Sequence, residues 1–170
     1  MTLSDIKILL TDVDGVLTDG SIFIDSRGGE LKRFHVRDGQ AIVLAQRVGL
    51  RMGIITGRPS TVTTLRAREL GIEFVEQCAA MDKVQSLENI CARAGVEERE
   101  VAYIGDDLAD LPVMCRVGYP MSVADGAEEV RGVAKFVTSR AGGHAAVREA
   151  IEHILKAQGK WDQVLEEYGL

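Results

Sequence analysis

The stretch Ile6-Lys7-Ile8-Leu9-Leu10-Thr11-Asp12-Val13-Asp14-Gly15-Val16-Leu17-Thr18-Asp19-Gly20 decides the fold. A short, nearly continuous apolar run is what a strand buried on both faces of a parallel sheet requires. The run from Ile6 to Leu10 ends abruptly in Thr11, two carboxylates and a glycine. In open parallel sheets, ligands bind just outside the carboxyl ends of the strands, so a polar cluster there is the first place to look for chemistry.

Working outward, the same unit recurs: a helical stretch, a glycine stop, then an apolar strand. Arg47-Val48-Gly49 precedes Met52-Gly53-Ile54-Ile55, and Glu69-Leu70-Gly71 precedes Ile72-Glu73-Phe74-Val75. Arg93-Ala94-Gly95 precedes Val101-Ala102-Tyr103-Ile104, and Arg116-Val117-Gly118 precedes Pro120-Met121-Ser122-Val123. Glycine suits the left-handed residue that closes a helix, since it has no Cβ to clash. Strands alternating with helices imply right-handed crossovers and an α/β fold with a doubly wound parallel sheet. Residues 21–34 depart from the pattern: Ser21-Ile22-Phe23-Ile24 and Glu30-Leu31-Lys32-Arg33-Phe34 flank Asp25-Ser26-Arg27-Gly28-Gly29 and read as a β-hairpin insertion with a glycine-containing turn. His144 to Gln158 carries apolar residues at helical spacing, and the tail at 159–170 carries Trp161, Val164, Leu165 and Tyr168 among polar residues.

A chain of 170 residues with 46% hydrophobic and 27% charged residues fits a single soluble domain spanning 1–170. The net charge of −6 argues against a nucleic-acid-coating surface. No apolar run approaches the ~20 residues of a membrane span, and Asp5 stands where a signal peptide would be basic. Cys78, Cys91 and Cys115 are odd in number and far apart, as expected of reduced thiols in a cytoplasmic protein.

Four strand-end groups then fall into one order: Asp12 and Asp14, Thr56-Gly57-Arg58, Lys83, and Gly105-Asp106-Asp107 with Asp110 a turn later. Carboxylates crowded at one sheet edge repel one another and are tolerated when a hard cation such as Mg²⁺ neutralises them. Each piece alone has a bland reading as a turn, a helix cap or a solvated lysine. The four together do not.

These groups resemble the four motifs of the haloacid dehalogenase-like phosphatases. The likeness extends over nearly the whole chain through the hairpin, Val36-Arg37-Asp38-Gly39, Pro112-Val113-Met114, Gly142-Gly143 and the segment from Val147 to Lys160. In this wider match the chain is similar to the capless, tetrameric branch that acts on 3-deoxy-D-manno-octulosonate 8-phosphate. The resemblance implies that Asp12 is the nucleophile, Asp14 the acid and base, and Thr56 and Lys83 the holders of the phosphoryl oxygens. It implies Mg²⁺ held by Asp12, the Asp14 carbonyl and Asp106, with Asp107 and Asp110 as supports. Substrate contacts are implied for Asp14, His35, Val36, Arg37, Asp38, Gly39, Thr56, Gly57, Arg58, Arg66 and Lys83. Val43 and His144 depart from the pattern, each standing where relatives often carry arginine.

The expected activity is Mg²⁺-dependent hydrolysis of a phosphorylated sugar acid for lipopolysaccharide synthesis in the cytoplasm of a Gram-negative bacterium. One rival is a phosphatase for a sialic-acid-type 9-phosphate. Another, of a different class, is a phospho-receiver-like binding module, against which stands Lys83 preceding the second acidic pair. Related phosphatases often carry a cap domain between motifs. Here the chain advances 42 residues from position 14 to 56 and 27 from 56 to 83, too few for a cap. The resemblance therefore implies a homotetramer in which hairpins pack together and neighbouring subunits cover each site. The tail is the segment expected to reach over a neighbour's opening.

Overall fold

The alternation of side chains along the first strand sets the architecture. In β1 (Ile8–Thr11) Leu9 points to one face and Ile8 and Leu10 to the other, and all three are buried. The structure, a computed structural model, describes residues 2–78 and 82–169. After the hairpin β2 (Phe23–Ile24) and β3 (Glu30–Leu31) the chain runs α1 (Val36–Arg47), β4 (Arg51–Thr56), α2 (Thr61–Glu69), β5 (Phe74–Gln77) and α3 (Lys83–Ala94). It continues through β6 (Val101–Gly105), α4 (Leu111–Met114), β7 (Tyr119–Ser122), α5 (Glu128–Val133), β8 (Phe136–Val137), α6 (Ala146–Ala157) and α7 (Trp161–Glu166). Six strands form one sheet in the order β5-β4-β1-β6-β7-β8, and every pairing in it is parallel.

One core layer gathers Leu9, Ile54, Ile104 and Met121 against Ile42 and Ala45 of α1 and Val147, Ile151 and Leu155 of α6. The other gathers Ile8, Leu10, Ile55 and Tyr103 against Leu87 and Ile90 of α3 and Val113 of α4. A sheet covered on both faces is the doubly wound arrangement expected from the strand pattern. The boundaries of the sheet strands lie within two residues of the sequence reading, the second hairpin strand ends three residues earlier than read, and the edge strand β8, only two residues long, was not read. Gly49, Gly71 and Gly95 hold positive φ as helix stops; Gly118 does not, because the helix before it is a single turn and its N–H instead donates to the Glu98 carbonyl.

The apolar residues of the tail form α7, which packs on its own chain: Val164 is buried, Tyr168 accepts a hydrogen bond from Gln40 of α1 at 2.8 Å, and Glu167 pairs with Arg47. Trp161 lies beneath the Arg148 and Lys156 side chains. These contacts hold the tail to α1 and α6 of the same subunit.

Candidate active site

β1, β4 and β6 lie side by side, so their carboxyl ends deliver Asp12, Thr56 and Asp106 to one edge. Lys83, at the start of α3, completes the edge from the side. Together with Asp14, Ile22, Gly57, Arg58, Asp107, Ala109 and Asp110 they line an open cleft of about 240 Å³.

Lys83 is no solvated helix residue. Its side chain is 3% exposed, with Nζ 3.0 Å from Asp12 Oδ2 and 2.7 Å from Asp110 Oδ1. Burial alone would lower its pKa, but Asp12 and Asp110 outweigh burial and hold it above the ordinary value. The ammonium therefore stays charged beside any phosphoryl group placed here.

Asp110 is saturated. Its Oδ1 accepts from Lys83 and from the Tyr103 hydroxyl at 2.5 Å, and its Oδ2 accepts from the backbone N–H groups of Asp106 and Asp107 at 3.0 and 3.2 Å. It thus organises the loop after β6 and fixes Lys83, while Asp107 turns outward to cap the Leu108 N–H at 2.8 Å. Asp12 Oδ1, Asp14 Oδ2 and Asp106 Oδ1 are the opposite case: buried acceptors with no hydrogen-bond partner. Burial first, then the charge of Asp110, raises Asp12 against the pull of Lys83. Burial, then Asp12, Asp110 and Asp107, pushes Asp106 up to about 8.

Acceptor-only oxygens crowded without donors are what an oxygen-ligated cation neutralises. Carboxylate oxygens of Asp12, Asp106 and Asp110 lie within 4.8 Å of one another. Since both Asp110 oxygens are already occupied, the set that fits Mg²⁺ is Asp12 and Asp106 with an oxygen from the Asp14 segment. Gly15 makes this approach possible. It holds φ +91°, and a Cβ there would stand 2.0 Å from Asp106 Oδ2. Gly142 and Gly143 brace the same turn from behind: a Cβ on Gly142 would meet the Gly15 carbonyl at 1.8 Å, and Gly143 N–H donates to the Val16 carbonyl at 3.0 Å.

The sequence pattern of the haloacid dehalogenase-like hydrolases matches residues 77–151. Over 159 residues the chain is 41% identical to the 3-deoxy-D-manno-octulosonate 8-phosphate phosphatase of Escherichia coli, covering 94% of this chain and 84% of that one. The crystal structure of the phosphatase of that name from Moraxella catarrhalis, in complex with magnesium ion, phosphate ion and KDO molecule, matches with a TM-score of 0.94 at 40% identity. The match covers 98% of this chain and 95% of that one. The cobalt-bound deoxy-D-mannose-octulosonate 8-phosphate phosphatase of Haemophilus influenzae matches at 0.90 and 38% identity, over 94% and 93% of the two chains. The chain belongs to the 3-deoxy-D-manno-octulosonate 8-phosphate phosphatase family of haloacid dehalogenase-like hydrolases.

Within this family member, the expected substrate residues divide. Asp14, Thr56, Gly57, Arg58 and Lys83 line the cleft. His35, Asp38, Gly39 and Arg66 instead surround a separate recess of about 10 Å³, room for one water. Arg37 lines a third depression beside Arg140 and Arg148, and Val36 is exposed. Asp38 is committed within the chain, its Oδ1 accepting the Arg148 N–H at the start of α6 at 2.7 Å. Val43 packs partly buried against the core, and His144 closes its own turn through the Gly142 carbonyl at 2.8 Å.

The sequence reading passed over four residues that the cleft uses. Tyr103 was read only as strand, Glu30 and Lys32 only as a hairpin arm, and Ser60 was not singled out. The charged pair two positions apart, flanked by exposed Leu31, was the available signal.

Proposed function

We propose that this chain is a Mg²⁺-dependent phosphatase that cleaves 3-deoxy-D-manno-octulosonate 8-phosphate to the free sugar acid and inorganic phosphate, a step of lipopolysaccharide synthesis. The observation that carries the reading is the trio of partnerless carboxylate oxygens on Asp12, Asp14 and Asp106 beside the buried Lys83 ammonium. An acidic, acceptor-rich floor suits a phosphoryl group only when a divalent ion completes it. That ion supplies charge neutralisation and alignment of phosphoryl oxygens against Asp12.

The chain's residues divide the chemistry into two displacements. The Asp12 carboxylate attacks phosphorus, forming an O–P bond while the bond to the sugar oxygen breaks. The Asp14 carboxyl gives its proton to that leaving oxygen, so the sugar acid departs neutral at the new hydroxyl. The Asp14 carboxylate then takes a proton from water, which attacks phosphorus and releases phosphate, restoring Asp12. Thr56 and Lys83 hold the phosphoryl oxygens through both steps, and Asp107 and Asp110 support the metal and Lys83. Arg58 meets the sugar acid from its own chain. His35, Val36, Arg37 and Arg66 serve a neighbour's cleft while buried Asp38 and Gly39 shape the start of α1, a division supported by the separate depressions that His35, Arg66 and Arg37 line.

In this reading the single domain spans 1–170 and works as a homotetramer. Support comes from the hairpin, where Ile22, Phe23, Ile24 and Leu31 are exposed, and from the stretches between motifs. The first holds only the hairpin, α1 and β4. The reading puts the enzyme in the cytoplasm of a Gram-negative bacterium; it is supported by relatives in Escherichia coli and Haemophilus influenzae, and among the described residues no helix is long and apolar enough to cross a membrane.

The test is phosphate release from the octulosonate 8-phosphate and from a sialic-acid-type 9-phosphate, with Mg²⁺, after chelation, and after Mg²⁺ is restored. The eight-carbon substrate turns over faster, chelation stops turnover, and Mg²⁺ restores it. Absence of metal-dependent phosphate release from the octulosonate would overturn the reading.

A further inference from the structure

Two charged side chains of the hairpin enter the cleft although neither lies in a strand-end motif. Lys32 is the stronger case. Lysine is rarely buried unless it is paired, yet the Lys32 side chain is 2% exposed and its Nζ is ion-paired with Asp14 Oδ1. On its other side stands Glu30, with Oε1 3.8 Å from the ammonium. Glu30 in turn is ion-paired with Arg58 and accepts a hydrogen bond from the Ser60 hydroxyl, the side chain that caps α2. Two positions apart on one arm, the two residues fasten the hairpin to the ends of both β1 and β4.

The consequence falls on Asp14. With Oδ1 held by Lys32, its other oxygen, Oδ2, is buried without a hydrogen-bond partner, with Arg58 Nη1 4.0 Å from it. A carboxyl group gripped by one oxygen presents the other in a single direction. Asp14 follows β1 in a turn, where the backbone alone does not fix its χ angles.

We propose that Lys32 is a positioning residue for the leaving-group proton transfer: it fixes the Asp14 carboxyl so that Oδ2 faces the oxygen that departs. This rests on the reading of Asp14 as acid and base. A misplacement of about 1 Å in such a group costs on the order of 100-fold in rate.

The experiment compares two leaving groups in the Mg²⁺-loaded enzyme. The sugar-acid phosphate leaves through an alcohol that needs a proton, whereas p-nitrophenyl phosphate leaves as a stable anion. In Lys32→Met, kcat/KM, which reports the step in which the leaving group departs, falls about 10- to 100-fold on the sugar-acid phosphate while kcat/KM on p-nitrophenyl phosphate stays within about 3-fold. Lys32→Arg, which keeps the cation, recovers most of the lost kcat/KM, and the Mg²⁺ concentration for half-activity is unchanged in both variants. Asp14→Asn is the reference and shows the same dependence of kcat/KM on leaving group, whatever it loses in the later attack of water. Equal losses of kcat/KM on both substrates in Lys32→Met, or no loss on either, would overturn the proposal and leave Lys32 a strut for the hairpin. Should Asp14→Asn lose kcat/KM equally on both substrates, the reading of Asp14 as the acid falls and the proposal with it.

Discussion

Asp110 and Asp106 lie four positions apart on one loop, both acidic and both largely withdrawn from water, and their surroundings could hardly differ more. Asp110 meets four donors from three parts of the chain, whereas Asp106 Oδ1 meets none. The first is finished by folding. The second is left open, and the cost of an unpaired buried acceptor is tolerable only if something else completes it. The same contrast recurs at larger scale. The cleft assembles within one chain, while the hairpin presents Phe23, Ile24 and Leu31 to solvent and the first turn of α1 presents Val36 and Arg37 away from the cleft.

The largest effects test the open half. Asp12→Asn keeps the shape of the side chain but removes the nucleophile, so turnover falls by roughly 1,000-fold or more while the melting temperature stays near or above that of the parent. Assays of phosphate release and thermal unfolding check both parts. Unchanged turnover would remove Asp12 from the reaction.

Next comes the finished half. Asp110→Ala strands the Lys83 ammonium and the Tyr103 hydroxyl in a buried layer and removes the acceptor that orders the loop of Asp106 and Asp107. Breaking such a buried network costs about 3 to 5 kcal/mol. Urea unfolding therefore separates the two kinds of carboxylate: a large loss of stability for Asp110→Ala, and little or none for Asp12→Asn. If Asp110→Ala unfolds like the parent, saturation by donors is no guide to structural weight.

Much of this was legible in the chain itself. The strand-end groups of β1, β4 and β6 were readable because a doubly wound sheet reverses its strand order beside the first strand, and the polar ends of the strands flanking that point meet there. Lys83 was legible only in company, because a lysine opening a helix is more often solvated. The tail and the hairpin were not legible to the same depth. The apolar residues of α7 showed that something was buried without showing against what. Lys32 and Glu30 find their partners at separations of 18 and 28 residues, which no local pattern encodes. Asp38 was read as a substrate residue, and its hydrogen bond to Arg148 spans 110 positions.

A middling effect is expected where the chain is incomplete alone. Ile24 and Leu31 are 66% and 69% exposed, so Ile24→Asp with Leu31→Glu changes the stability of the isolated subunit by only about 0.5 kcal/mol. If hairpins pack together between subunits, the same pair of charges splits the assembly. Sedimentation then shows a smaller species, and kcat/KM falls about 10-fold or more through loss of the neighbour's contribution. A fully active assembly of unchanged size would place the apolar hairpin outside the subunit contact.

The smallest effect sits at Asp38, and its sign is the informative part. The carboxylate lies buried between α1 and α6, where Oδ1 accepts the Arg148 N–H and Oδ2 has no partner. Burial raises its pKa to about 6, against the opposing pull of the Arg148 and Ala145 N–H groups and the Arg140 and Arg148 charges. In the unfolded chain the group returns to about 3.8. The folded protein thus holds this proton more tightly than the unfolded one. Its contribution to stability is fully present below the unfolded value and is lost as pH rises through the folded one. Asp38→Asn keeps the acceptor for Arg148 and has no charge to bury. The difference in unfolding free energy between parent and variant should therefore move in the variant's favour as pH rises from about 4 to about 7, by no more than about 3 kcal/mol. Urea titrations at intervals across that range measure it, and ionising groups common to both proteins, Asp12 and Asp106 among them, cancel in the difference. A shift in the parent's favour would mean that the start of α6 stabilises Asp38 as an anion, so that the residue is a saturated cap like Asp110.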